Sequence, residues 1–140
     1  MEKLNKAIRR TTAETEGEVS KDSILSALLS NGEADKSDKL LSNIGLRKYF
    51  DYIISAEEVR KYKPSPEPYL HVSKKLNLQI SQIALVSSNL WDIAGAQAAG
   101  MQSCWINRER KKTTNEELDL KPDYVFSSLE DIADNLSVML

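Results

Sequence analysis

The sequence has one cysteine, one histidine and a net charge of only −2 over its 140 residues. A single cysteine excludes an internal disulfide framework and any zinc site built from several cysteines. The lone His71 leaves no histidine cluster for a metal ion, and it argues against a Ser/His/Asp triad. The small net charge gives no indication of binding to nucleic acid or to an anionic membrane.

Long apolar segments are also missing. No apolar run approaches the roughly 20 residues that a transmembrane helix needs. The charged N-terminal stretch lacks the hydrophobic segment of a secretory signal. We therefore expect a cytoplasmic protein whose length fits one domain with a core of ordinary size.

Residues 1–22 are strongly polar, and we interpret them as an N-terminal arm outside a domain of residues 23–140. Leu4 and Ile8 have the i, i+4 spacing of a thin helical stripe. The rest of the arm has too few apolar groups to pack. A frayed helix and a disordered arm are both open at this point.

From residue 24 onward, strand patterns alternate with helix patterns. We predict strands at 24–29 (a short helix is the alternative), 52–55, 83–86, 103–107 and 123–126. We predict helices at 33–44, with Gly45 as the C-terminal stop, from Pro68 to residue 76, over the Ala-rich stretch closed by Gly100, and at 129–136. The strand at 83–86 has the unbroken apolar pattern of a strand buried on both faces. This alternation predicts a mostly parallel α/β sheet with right-handed crossovers.

A polar cluster follows the strand at 83–86. Ser87, Ser88, Asn89 and Asp92 bring two hydroxyls, an amide and a carboxylate to the carboxyl end of that strand. Open α/β sheets place their ligand sites at such strand ends. The alternative is a simple helix start, with Ser88 or Asn89 as its N-cap.

Two further polar segments have comparable positions. Ser30, Asn31 and Gly32 follow the first predicted strand, and Lys63 precedes a turn rich in proline. A lysine on its own is most often a solvated loop residue. In a parallel sheet, however, all three segments would meet at one edge, where a lysine can stabilise an anion.

These segments resemble one family when they are taken together. The resemblance is carried by Leu28-Leu29-Ser30-Asn31-Gly32, Phe50-Asp51, Ile54-Ser55-Ala56-Glu57-Glu58-Val59, Tyr62-Lys63-Pro64-Ser65-Pro66 and Val86-Ser87-Ser88-Asn89-Leu90-Trp91-Asp92-Ile93-Ala94-Gly95-Ala96. Over about residues 24–135 the sequence resembles the haloacid dehalogenase (HAD) superfamily, and within it the L-2-haloacid dehalogenases. The resemblance implies a three-layer, mostly parallel, Rossmann-like core, represented by its C-terminal part without the first strand and the helical cap domain.

The resemblance also implies a chemistry. L-2-haloacid dehalogenases remove halide from 2-haloalkanoic acids by hydrolysis through an aspartyl ester, without metal or organic cofactor. The phosphatase branch of the superfamily carries two acids in its last motif, where this sequence has Ser87 and a single Asp92. Because Mg²⁺ prefers several carboxylate oxygens, a phosphatase-like hydrolase is the weaker alternative.

By resemblance, catalytic roles fall on Lys63, Ser87, Asn89 and Asp92, and substrate-binding roles on Ser30, Asn31, Tyr69 and Trp91. Ser30 and Asn31 would bind the substrate carboxylate, and Lys63 would keep the catalytic carboxylate ionised. Tyr69 and Ser87 would support this network, and Asn89 would position substrate or halide. Asp92 would assist the hydrolytic water as a general base. Trp91 either lines the pocket or is a buried aromatic beside the strand.

The nucleophilic aspartate of the resembled family has no counterpart here. Asp22 is the only aspartate before Ser30, and no apolar strand precedes it. Without that carboxylate no ester can form, so we expect the chain to be inactive unless an N-terminal fragment complements it. The alternative is a non-catalytic α/β interaction module.

A missing central strand would also leave two strand edges unpaired, at the strands that end at Ser30 and Val86. These strands could pair directly with each other, or their edges could recruit another chain. We expect the second outcome, and hence a chain that tends to form oligomers.

Overall fold

The computed structural model describes residues 1–7, 24–109 and 120–139. Its strands are β1 (Ala27–Ser30), β2 (Tyr52–Ser55), β3 (Ala84–Ser87), β4 (Gln102–Ile106) and β5 (Tyr124–Phe126). Its α-helices are α1 (residues 2–7), α2 (Ala34–Asn43), α3 (Pro66–Leu76), α4 (Leu90–Ala99), α5 (Leu129–Asp134) and α6 (Leu136–Met139). Short 3₁₀ segments lie at Arg47–Tyr49, Ala56–Val59 and Ile80–Gln82. None of the helices in these ranges is long and apolar enough to cross a membrane.

The five strands form two separate parallel sheets. β1 pairs with β2, so that Leu29 lies opposite Ile54. β3, β4 and β5 form the second sheet in that order, with Cys104 between Val86 and Tyr124. The predicted parallel α/β architecture is confirmed, and each predicted strand overlaps an observed one.

The strands β1 and β3 are not paired with each other within the described ranges. They nevertheless pack on the same apolar layer, to which β1 contributes Leu29 and β3 contributes Leu85. The buried centre of this layer consists of Ile54, Tyr69, Val72, Ala96 and Met101, mostly from β2, α3 and α4. Direct closure of one strand on the other, one of the two outcomes considered from the sequence, is therefore not what this structure contains.

The opposite face of the three-stranded sheet has an apolar layer of its own. Cys104 and Ile106 of β4 meet Ile132 of α5 there, and Leu4 of α1 completes the buried set. The salt bridge from Lys3 to Asp134, 2.9 Å long, also joins α1 to α5. Of the two forms considered for the N-terminal arm, residues 2–7 adopt the helical one, and Ile8 lies outside the described residues.

Helix boundaries follow the expected glycines and prolines. Gly45 and Gly100 lie beyond the ends of α2 and α4 with φ of +74° and +100°, in the left-handed region that glycine enters at little cost. α3 begins at Pro66, two residues earlier than predicted. Both Pro66 and Pro68 fit its first turn, because backbone N–H groups there have no partner within the helix.

Two predictions were wrong, one about the burial of a strand and one about the continuity of a helix. β3 is not buried on both faces, since Val86 is 39% exposed. Exposed and partly buried residues alternate along β3, because successive side chains of a strand point to opposite faces and Leu85, unlike Val86, lies against the apolar layer that includes α3 and α4. The closing helix predicted at 129–136 is also divided, with Asn135 between α5 and α6.

Candidate active site

The carboxyl end of β1 is tied to the loop that carries Lys63. Asn31, directly after β1, accepts a hydrogen bond from the backbone N–H of Lys63 through Oδ1 at 2.8 Å. Its Nδ2 donates to the backbone carbonyl of Lys63 at 3.5 Å. Because one amide side chain holds both backbone groups of Lys63, the position of this loop depends on the turn after β1.

The side chain of Lys63 extends from this loop to Asp92 at the start of α4. Its Nζ lies 3.0 Å from Asp92 Oδ2, and the two side chains are only 11% and 6% exposed. Charges so far removed from water need their partner, since an unpaired ion here would be costly. The same Nζ lies 5.9 Å from the centre of the Trp91 ring, within the range of a cation–π contact.

Tyr69 holds the other oxygen of Asp92. It lies in α3, is completely buried, and donates from Oη to Asp92 Oδ1 at 2.6 Å. Burial raises the pKa of the Tyr69 phenol far above its usual value, and the hydrogen bond to the Asp92 carboxylate and its negative charge raise it further. Tyr69 is therefore a fixed, protonated donor, and each oxygen of Asp92 has its own partner.

Ser30 and Ser87 shape the turns at the ends of their strands. Ser30 Oγ accepts from the backbone N–H of Gly32 at 2.9 Å, and Ser87 Oγ accepts from the backbone N–H of Asn89 at 3.1 Å. Asn89 is the N-cap residue of α4, although its side chain makes no capping hydrogen bond. The helix-start interpretation of this segment is thus correct for Asn89, and it holds alongside the site.

An open groove of about 420 Å³ lies beside this network. Its lining residues are Leu28, Leu29, Ser30, Asn31, Ser37, Leu40, Leu41, Lys63 and Trp91. The walls are mainly apolar, and Lys63 is the basic residue in the lining. Such a groove suits a small molecule with an apolar body and an anionic group.

The 3₁₀ segment Ala56–Val59, which precedes the loop that carries Lys63, is bound to α3 by side-chain contacts. Glu58 lies in the 3₁₀ segment after β2, and its Oε2 lies 2.7 Å from His71 Nε2 and 3.2 Å from Lys75 Nζ. The hydrogen bond from His71 and the pairing with Lys75 hold the pKa of Glu58 below its usual value. The side chain of His71 is only 16% exposed, so it is largely shielded from solvent.

Comparison with known proteins identifies the family that this chain matches. Residues 6–106 match the family described as haloacid dehalogenase-like hydrolase. This chain belongs to that family. The chain is 41% identical over 111 residues to (S)-2-haloacid dehalogenase 2 of Pseudomonas sp. (strain CBS-3), covering 79% of this chain and 48% of that protein. It is 40% identical over 110 residues to (S)-2-haloacid dehalogenase of Pseudomonas sp. (strain YL), covering 77% and 46%.

Solved structures of dehalogenases agree in fold with this family member. L-2-haloacid dehalogenase from Xanthobacter autotrophicus, with chloropropionic acid covalently bound, matches with a TM-score of 0.73 and 26% identity, over 94% of this chain and 60% of that one. The chain spans about half the length of the curated relatives it matches. Both the resemblance seen in the sequence and its limitation to the C-terminal part of such a protein are thus confirmed.

Within this HAD-like fold, the predicted site residues fall into two groups. Ser30, Asn31, Lys63 and Trp91 line the groove, whereas Tyr69, Ser87, Asn89 and Asp92 are not among its lining residues. The buried-aromatic interpretation of Trp91 was wrong, because the ring is 49% exposed. Tyr69 is instead the completely buried residue, which leaves it no surface for substrate and fits it to the support of Asp92.

The geometry gives no support to Asp92 as a general base in this state. Lys63 and Tyr69 each bind one of its oxygens, and its side chain is 6% exposed. In this HAD-like site, Asp92 pairs with the ammonium group of Lys63 and does not itself line the groove. Among the residues that the structure describes, no three His, Cys, Asp or Glu side chains lie close enough together to hold a metal ion.

Sequence reasoning missed some residues around the site. Leu40 and Leu41 of α2 line the groove, and Leu40 is 61% exposed. Ser55 at the end of β2 donates from Oγ to the carbonyl of Gly32 at 2.7 Å, which supports the turn that contains Asn31. The strand-end rule that pointed to Ser30 and Ser87 could also have pointed to Ser55.

Proposed function

We propose that this chain supplies the lysine-bearing half of a 2-haloacid dehalogenase site and is inactive until another polypeptide segment adds the nucleophilic carboxylate. The observation that carries the proposal is Lys63. Its ammonium group is fixed by Asp92, and the residue lines a groove together with Ser30 and Asn31. This arrangement combines a fixed cation, hydrogen-bonding side chains and apolar walls in a groove of suitable size for a small halogenated acid.

The reaction proceeds in two steps. A carboxylate oxygen attacks C2 of the 2-haloalkanoic acid, the carbon–halogen bond breaks, and halide leaves with the bonding electron pair. Water then hydrolyses the resulting ester, which releases a 2-hydroxy acid and a proton and restores the carboxylate. Lys63 keeps the carboxylate ionised before attack, and Ser30 and Asn31 bind the carboxylate of the substrate.

Among the described residues, β1 and β3 each have one edge without a strand partner, and these edges offer a place for the segment that carries the nucleophile. Both strands pack on one apolar layer and are parallel within their sheets, and their carboxyl ends are bridged through Asn31, Lys63 and Asp92. An extended segment running parallel between β1 and β3 would therefore end beside Lys63. A carboxylate at that end would meet the ammonium group at the groove.

The known relatives support the substrate class. The matched relatives from both Pseudomonas strains are (S)-2-haloacid dehalogenases, and the Xanthobacter autotrophicus enzyme holds covalently bound chloropropionic acid. Short 2-haloalkanoic acids are accordingly the first compounds to test. By contrast, the fold alone does not favour them over phosphate esters, because a HAD phosphatase from Thermococcus onnurineus matches with a TM-score of 0.74 at 24% identity.

Halide release from 2-chloropropionate provides the test. We expect no release above the buffer rate from the purified chain, because the nucleophile is missing. We expect release when the chain is mixed with an N-terminal fragment of the Pseudomonas sp. (strain CBS-3) dehalogenase that ends where its similarity to this chain begins. A Lys63→Met/Asp92→Leu chain, in which no buried charge is left unpaired, should bind the same fragment without restoring release, which separates binding from chemistry.

Two results would count against this proposal. Release by the chain alone, abolished by Lys63→Met, would mean that the chain contains its own nucleophile. Binding of the fragment without any halide release would favour the non-catalytic interaction module instead.

The same unpaired edges lead to an expectation about assembly. Because exposed strand edges can pair with other chains, the purified chain should form oligomers or aggregates that the N-terminal fragment disperses. Light scattering with and without the fragment measures this. A stable monomer that melts cooperatively in the absence of the fragment would contradict the expectation.

A further inference from the structure

Gly95 lies within α4, one turn after Asp92, in a segment rich in alanine. Glycine inside a helix costs about 1 kcal/mol relative to alanine. Gly95 does not have the positive φ of Gly45 and Gly100, so its backbone conformation suits any residue. The helix itself therefore gives no reason for glycine at this position.

The reason lies in the groups that face Gly95. A Cβ atom there would lie 2.7 Å from Tyr69 Oη, 2.9 Å from Tyr69 Cε2 and 2.8 Å from Pro64 Cβ. Ordinary carbon contacts need about 3.5–4.0 Å, so the neighbours would have to withdraw by roughly 1 Å. Tyr69 is completely buried and bound to Asp92, and Pro64 is a ring in the chain directly after Lys63, so neither can turn aside.

Three parts of the site meet at this position. α4 carries Asp92, α3 carries Tyr69, and the turn at Pro64 carries Lys63 on its preceding residue. Any side chain at position 95 would push α4 away from the other two parts. The Lys63–Asp92 and Tyr69–Asp92 contacts, 3.0 and 2.6 Å long, span the same separation and would lengthen with it.

We propose that Gly95 is a positioning residue whose missing side chain sets the distance between Lys63 and Asp92. It acts through Pro64 and Tyr69. Only the consequence for catalysis rests on the proposed dehalogenase function, because the ion pair can be observed directly in the chain. A failure of the dehalogenase proposal would therefore leave this inference intact, and the reverse is also true.

The test measures how fast a water-soluble acetylating reagent modifies Lys63 in the folded chain, by mass spectrometry of its peptides. The rate is expressed relative to that of exposed Lys36, whose side chain is 76% exposed. In Gly95→Ala we expect Lys63 to react about tenfold faster than in the unsubstituted chain, because the pair that shields it is opened. The matched control is Ala98→Ser, which adds one heavy atom to an exposed position of the same helix and should leave the rate unchanged.

A second readout separates positioning from general loosening. Burial and the nearby Asp131 raise the pKa of the Cys104 thiol to about 12, so this thiol should resist disulfide reagents while its layer stays packed. Cys104 lies in the apolar layer on the other face of the sheet, away from Gly95. Cys104 should remain unreactive in Gly95→Ala; if Cys104 and Lys63 become reactive together, Gly95 supports the whole fold and the proposal fails.

A further pair of variants covers the case in which Gly95→Ala does not fold. Tyr69→Phe removes the hydroxyl that would make the closest contact, so Tyr69→Phe/Gly95→Ala has more room than Gly95→Ala. Against Tyr69→Phe as reference, the double variant should still expose Lys63 to faster modification, because the contact with Pro64 remains. Equal Lys63 rates within either comparison would overturn the proposal.

Discussion

The two sheets of this protein differ in how they are covered. The three-stranded sheet carries an apolar layer on each face, and four of the five residues of its central strand β4 are buried. The two-stranded sheet shares in only one of these layers; Ile54 and Ser55 of β2 are buried, whereas β1 has no fully buried residue. The candidate site lies where the carboxyl ends of the two sheets meet, and so joins a sheet in contact with both layers to a sheet in contact with one.

Polar contacts add to the apolar packing at the end of the two-stranded sheet. Asn31 holds the backbone of Lys63, Ser55 holds the carbonyl of Gly32, and Lys63 reaches across to Asp92. These contacts position the end of the two-stranded sheet relative to α4. The residues expected to bind substrate therefore also hold the two units together, and substitutions there should affect stability as well as binding.

The largest effect should come from breaking the ion pair between the two units. Asp92→Leu leaves the ammonium group of Lys63 buried without its counter-charge, and we expect it to lower the free energy of unfolding by about 3–5 kcal/mol. Urea unfolding followed by fluorescence measures this change. In Lys63→Met/Asp92→Leu no charge is left unpaired, so most of the lost stability should return.

That double variant is the decisive control. If it is as unstable as Asp92→Leu, the loss comes from packing around position 92 or from the unpaired Tyr69 hydroxyl. The pair would then contribute little to the link between the two sheets.

A pair of core truncations compares the burial of the two sheets directly. Ile106→Ala removes atoms from a side chain that is 3% exposed in β4, and we expect a loss of about 3 kcal/mol. Leu29→Ala affects the partly buried β1 and should cost about half as much, because fewer contacts are lost. Equal costs in urea unfolding would show that the two sheets are equally well packed despite their different burial.

The sequence predicted the regular parts of this fold well. Apolar runs located all five strands, and Gly45 and Gly100 marked two helix ends through their backbone freedom. The convergence of Asn31, Lys63 and Asp92 followed from a general rule of parallel sheets. Each of these predictions depended on local pattern or on topology alone.

Predictions that depended on neighbouring segments were less successful. The apolar run that includes Val86 suggested a strand covered on both sides, and a sequence run cannot tell whether both faces of a strand are covered. Tyr69, which was expected to bind substrate, is completely buried, and Trp91, for which a buried position was one of two interpretations, is 49% exposed, because helical spacing alone did not show which face of α3 or α4 is buried. Gly95 stood only as part of the motif that carries the family resemblance, since the groups that require glycine there lie in α3 and in the Pro64 turn.

The smallest expected effect concerns the contacts of Glu58 with His71 and Lys75 of α3. Because His71 and Lys75 lower the pKa of Glu58 in the folded chain, its carboxylate stabilises the fold above the ordinary carboxyl pKa, and this contribution is lost as pH falls through the lowered value. Glu58 is one-third exposed, so solvent screening limits the contribution to at most about 1 kcal/mol.

Thermal melts from pH 7 to pH 3 test this point. Glu58→Gln should lower the melting temperature slightly at pH 7, and this deficit should shrink as pH falls through the lowered pKa of Glu58. The neighbouring, exposed Glu57→Gln is the matched control and should follow the unsubstituted chain throughout. A deficit of Glu58→Gln that stays constant over the whole pH range would assign the effect to packing.

The division into two sheets also has a consequence for folding while the chain is being synthesised. The two-stranded sheet is complete at Ser55, whereas α4, which helps to cover it, ends at Ala99. At about 5–20 residues per second a ribosome needs roughly 2–9 s to add the intervening chain. During that interval the two-stranded sheet has left the decoding centre without α4, so the apolar layer that α3 begins to form over it is completed only when α4 and Met101 follow.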